Sequence, residues 1–125
     1  MRRLAVLALA CLAGCAPSST RVVTQGQAYE FAVPMGPRDL ANCIATNSVN
    51  YASRYTSSVT ELIKPYNYEV VISDPQTRQT AIIVARTSPT TPPAAVGSRL
   101  VLFMSLPDLG AGTADDWIAR LRKGC

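Results

Sequence analysis

A small α+β domain is the fold class this sequence predicts: an antiparallel sheet of about four strands, covered on one face by two helices. Three observations carry that prediction. Segments rich in β-branched and large apolar residues, at 68–72 (YEVVI), 79–86 (QTAIIVAR) and 99–105 (RLVLFMS), follow one another with turn residues between them. Apolar residues at helical spacing recur on either side of this run, at 38–50 and near the carboxyl end. No internal repeat or low-complexity segment interrupts the chain beyond two linkers rich in Pro, Ser and Thr.

Each element has its own local grammar. Residues 28–33 (AYEFAV) place Tyr29, Phe31 and Val33 on one side, the period of a short strand, and Pro34, Gly36 and Pro37 stop it. Pro37 suits a first helical position, where its missing N–H costs nothing. From Arg38 to about Asn50, Leu40 and Ile44 recur at helical spacing with Ala41, Cys43 and Asn47 beside them. The face of Leu40, Cys43 and Ile44 is expected to meet the core. Residues 57–63 alternate weakly, 64–67 (KPYN) read as a turn, and 73–78 (SDPQTR) read as a hairpin loop. The segment 79–86 is apolar on both faces at its centre, as a covered central strand should be. Residues 87–97 (TSPTTPPAAVG) contain three prolines and are expected to form a loop across an end of the sheet. After a linker at 107–112, Thr113 to Asp116 reads T-x-x-D, close to a capping box, with Asp115 and Asp116 in the first turn. Trp117, Ile118 and Leu121 form a core-facing stripe, Arg120, Arg122 and Lys123 suit the last turn, and Gly124 is a natural stop.

The amino end reads as an address. Met1-Arg2-Arg3 is a positive start and residues 4–13 are apolar, the layout of a secretory signal. This run is too short to span a bilayer core, which needs roughly 20 residues. It ends on Leu12-Ala13-Gly14-Cys15, which resembles the lipobox of bacterial lipoproteins at all four positions. The resemblance implies that residues 1–14 are a lipoprotein signal peptide cut before Cys15. It also implies a diacylglyceryl group on the Cys15 sulfur and an acylated new amino terminus. Several acyl chains together give firm attachment, since each buried methylene contributes roughly 0.8 kcal/mol. Ala16 rather than Asp follows the cysteine, which by the same resemblance implies the periplasmic face of the outer membrane. Residues 15–27 (CAPSSTRVVTQGQ) are mostly small and polar and are expected to be a flexible tether, with 28–125 a single periplasmic domain. Through "DLANCI" at 39–44 and "GSRLVLF" at 97–103 the chain also resembles small uncharacterised proteobacterial lipoproteins.

That reading simplifies charge and cysteines. The formal charge of +4 loses Arg2 and Arg3, and no basic cluster remains to suggest nucleic acid as a partner. The roughly 110 residues left suit one domain. Cys11 leaves with the signal and Cys15 takes lipid, so Cys43 and Cys125 are the expected disulfide in an oxidising compartment. Closing a loop of roughly 80 residues is worth roughly 4.5 kcal/mol in the chain-entropy model, and it would pin the carboxyl end.

Catalytic grammar is sparse. The chain has no histidine, the commonest general base and metal ligand. No G-x-S-x-G, Walker-type loop or S-x-x-K motif occurs. Asp115 and Asp116 point about 100° apart on a helix, and Asp74 before Pro75 is a turn residue. Gly110 to Thr113 before a helix is a poor phosphate cradle with two acids beside it. No catalytic set, metal site or cofactor is therefore expected. Tyr51, Tyr55, Tyr66 and Tyr68 cluster in sequence and form the candidate binding surface, because tyrosine offers contact area at low entropy cost. The expected function is a non-catalytic, lipid-anchored envelope interaction module with an envelope protein as partner, such as an accessory of a secretion or envelope complex. The alternatives are a peptidoglycan or small-ligand binder, or a hydrolase or enzyme inhibitor. The oligomeric state is left open.

Overall fold

The structure is a computed structural model and describes residues 18–51, 54–62, 66–77, 80–90, 97–109 and 114–125. Cys15, the signal segment and Thr113 of the expected capping box lie outside the described residues. Among the described residues, three helices, α1 (Ser18–Gln25), α2 (Pro37–Tyr51) and α3 (Ala114–Leu121), accompany five strands. The strands are β1 (Gln27–Val33), β2 (Thr56–Glu61), β3 (Tyr68–Asp74), β4 (Thr80–Pro89) and β5 (Ser98–Met104). They form one antiparallel sheet in the order β1-β5-β4-β3-β2. β2 to β5 make a meander, and α2 carries the chain from β1 at one edge to β2 at the other.

The alternation of side chains explains the first face. Val70 and Ile72 of β3, Ile83 and Ala85 of β4, and Leu100, Leu102 and Met104 of β5 share one cluster with Leu40, Ala41 and Ile44 of α2 and Trp117 and Leu121 of α3. The expected antiparallel sheet with two helices on one face is therefore the architecture seen, with five strands where about four were expected. Pairing shifts by one residue between Ile72 and Ser73, so that Ile82 and Ile83 both enter this core while Ala81 turns to the other face. That bulge accounts for the doubly apolar look of "AIIV".

Three expectations need correction. The first is the tether, because residues 18–25 are helical and β1 already begins at Gln27. α1 lies on the second sheet face, where Val22 packs with Ala81 and Val84. Gly26 joins α1 to β1 at close quarters: a Cβ there would stand 2.3 Å from the Val22 carbonyl oxygen and 2.9 Å from that of Met104, so only glycine fits. The second is the start of the loop at 87–97, whose residues 91–96 lie outside the described residues, since β4 runs on through Thr87, Ser88 and Pro89, which pair with Leu100, Arg99 and Ser98. Proline is tolerated at a strand end, and hydroxyls secure the segment. The Thr87 hydroxyl donates to the Pro37 carbonyl at 2.9 Å, and that of Ser98 donates to the Met35 carbonyl. The third is the hairpin loop at 73–78. Ser73 and Asp74 are still strand, and a 3-10 turn at Pro75–Thr77 follows.

Candidate functional site

The four tyrosines do not form one surface. Tyr51 and Tyr55 stand edge-on to Trp117, with ring centroids 4.4 and 5.0 Å away. Trp117 is fully buried between α2, the following turn and α3, and its Nε1 has no acceptor among the described residues. The Tyr51 hydroxyl donates to Asp116 Oδ2 at 3.0 Å, which raises its pKa, and the Arg120 guanidinium covers the ring. Tyr55 is buried and accepts from Arg54, whose guanidinium also pairs with Asp74 at 3.3 Å. Tyr68 packs half-buried against the main core. Tyr66 alone is displayed, 67% exposed with φ of 66° in the β2–β3 turn. The tyrosines adjacent in sequence thus divide between core support and a turn tip.

The cysteines do meet. Cys43 of α2 and Cys125 are bonded, with Cα atoms 5.9 Å apart. Asn47, one helical turn after Cys43, donates its Nδ2 hydrogens to the carbonyls of Leu121 and Lys123 at 2.8 and 2.9 Å. These carbonyls lie at the end of α3 and lack intrahelical partners, so Asn47 acts as a cap reaching across from another helix. Gly124, at φ of 74°, turns the chain back to the bridge. Sequence spacing hinted at Asn47 only as part of the α2 face.

The open surface lies on the other side of the sheet. α1 covers the rows containing Ala81, Val84, Val71 and Phe103. Beside it the register sets Glu30, Val101, Arg86, Glu69 and Thr60 in one row across all five strands, followed by Ala32, Arg99 and Ser88. A groove of about 520 Å³ runs here over Val101 and Phe103, bounded by Leu62, Asn67, Arg86, Ser88 and Arg99. It continues past Arg99 into a depression of about 420 Å³ reaching Glu30, Pro89 and Thr90. Arg86 donates to Glu69 at 2.9 Å and lies over the Phe103 ring, 5.7 Å from its centroid. Arg99 grips both carboxylate oxygens of Glu30 and so lowers the pKa of that acid. The result is an apolar floor between two paired, half-exposed cation–anion rims.

Chemically, this face can receive an apolar group and offer hydrogen bonds of both signs. Among the described residues no group of three or more His, Cys, Asp or Glu gathers in metal-binding fashion. Nor, among them, is any helix long and apolar enough to cross a membrane. No family model matches the chain, no curated protein matches it, and no solved structure matches its fold.

Proposed function

We propose that this chain is a non-catalytic envelope interaction module, anchored by lipid on Cys15 at the periplasmic face of the outer membrane, and that the open half of its second sheet face receives an envelope protein. The observation that carries the reading is the unequal cover of the sheet. α2 and α3 close the first face, while α1 leaves half of the second to the groove over Val101 and Phe103. An apolar centre ringed by charges of both signs is the anatomy of a protein contact. The partner fitted to it presents a small apolar side chain to Val101 and opposite charges to the Arg86–Glu69 and Arg99–Glu30 pairs.

Two substitutions test the reading. Cys15→Ala should yield an unprocessed or soluble protein, and unchanged membrane fractionation with normal processing would overturn the anchor. A photo-crosslinking residue at Ser88 should give one discrete adduct in the native envelope, and Val101→Asp should abolish it while leaving the unfolding temperature in place. An adduct indifferent to Val101→Asp would overturn the proposed surface.

A further inference from the structure

The distance between Cys15 and α1 restricts how the domain can sit. Only Ala16 and Pro17 separate the cysteine from Ser18, where α1 begins. A chain advances at most about 3.6 Å per residue, so the start of α1 stays within about 11 Å of the Cys15 backbone. α1 is itself fixed to the sheet. Val22 is 4% exposed against Ala81 and Val84, and the Gly26 junction leaves no room for a side chain. A lipid on Cys15 would therefore hold one particular side of the domain close to the headgroups.

We infer, resting on the reading of Cys15 as lipidated, that the α1 side of the sheet faces the bilayer and that the partner of its open half is a protein resident in the same membrane. α1 then acts as a spacer. A helix is about 10 Å across, so the sheet stands off the membrane by about that much and the groove beside α1 opens into the gap. A segment of a membrane protein projecting just above the headgroups reaches Val101 there. α2, α3 and the Cys43–Cys125 bridge lie on the opposite face and point to the aqueous side. A soluble or wall-bound partner would meet that far side first.

The test uses the full lipidated protein in vesicles of phosphatidylethanolamine and phosphatidylglycerol carrying a headgroup quencher. A fluorescent amino acid is placed either at Ala32, exposed beside the groove, or at Ala119, exposed on α3. Quenching at Ala32 should exceed that at Ala119 several-fold. A flexible insertion of about 20 Gly/Ser residues between Pro17 and Ser18 should level the two. Equal quenching in the uninserted protein, or a difference that survives the insertion, would overturn the orientation while the anchor stands. Failure of the protein to float with vesicles would instead bring down the lipid reading, and this inference with it. In cells, a crosslink from Ala32 to a protein that survives carbonate extraction of the membrane supports the partner class. A crosslink only to carbonate-released protein overturns it.

Discussion

The two faces of the sheet are built to different standards. On the first, a contiguous core runs from Val33 through α2 and the strands to Trp117 and Leu121, backed by a disulfide and by the Asn47 cap. On the second, among the described residues, Val22, Ala81 and Val84 are buried as a small cluster, with Val23, Val71 and Phe103 leaning on it. Stability is thus concentrated on one side: the first face holds the fold together, and the second carries a small cluster beside a groove.

The division can be broken most sharply at Trp117. Trp117→Ala should destabilise the domain by about 3–5 kcal/mol, as large aromatic truncations in a core do, measured by urea unfolding. Trp117→Phe should cost less, because the edge-on contacts with Tyr51 and Tyr55 are partly retained. Next in size, replacing both Cys43 and Cys125 with serine should lower stability by about 2–5 kcal/mol in the same assay. A smaller loss is expected on the other face. Val22→Ala removes about 1–2 kcal/mol of burial, and hydrogen exchange should show α1 amides opening with α2 amides unchanged. Loss of protection in both helices together would mean that the two faces unfold as one unit.

The smallest effects are ionic. Asp116 holds the Tyr51 phenol neutral to higher pH than an ordinary tyrosine. Its contribution is complete below the unfolded value of about 10 and is lost as pH rises through the higher folded value. Absorbance titration should find one tyrosine ionising late, and Asp116→Asn should bring it back down. Glu30 runs the opposite way. Arg99 keeps its pKa below the usual carboxylate range, so its contribution is present above the unfolded value and fades as pH falls through the folded one.

What could be read from the chain followed the same division. The first face was legible because its residues obey simple periods, 3.6 in α2 and α3 and 2 in β3 and β5, and each period points at one common core. α1 was not. SSTRVVTQ offers just two valines among polar residues, and its helicity depends on Val22 finding Ala81 and Val84, which are far away in sequence. The end of β4 was hidden for a related reason. Thr87-Ser88-Pro89 has loop composition, and what makes it strand is the ladder to β5 and the Thr87 hydroxyl on Pro37. The tyrosines misled by proximity, because Tyr51, Tyr55 and Tyr68 pack on the first-face core while Tyr66, close to them in sequence, stands out on the β2–β3 turn. The groove required register: Glu30, Val101, Arg86 and Glu69 become a row only when four strands are aligned.

The pairing of β1 with β5 also sets an order in time. A chain made amino end first delivers α1, β1 and α2 before β5 is there to receive them. The hairpins from β2 to β5 join neighbours and close locally, but Gln27 has to wait for Met104. During that interval Val22, Phe31 and the apolar side of α2 have no sheet to cover. In that interval the β5 of another copy could pair with β1 in place of its own, which is the exchange a domain swap requires. The strand that is made first can be placed only once β5 is there to pair with it.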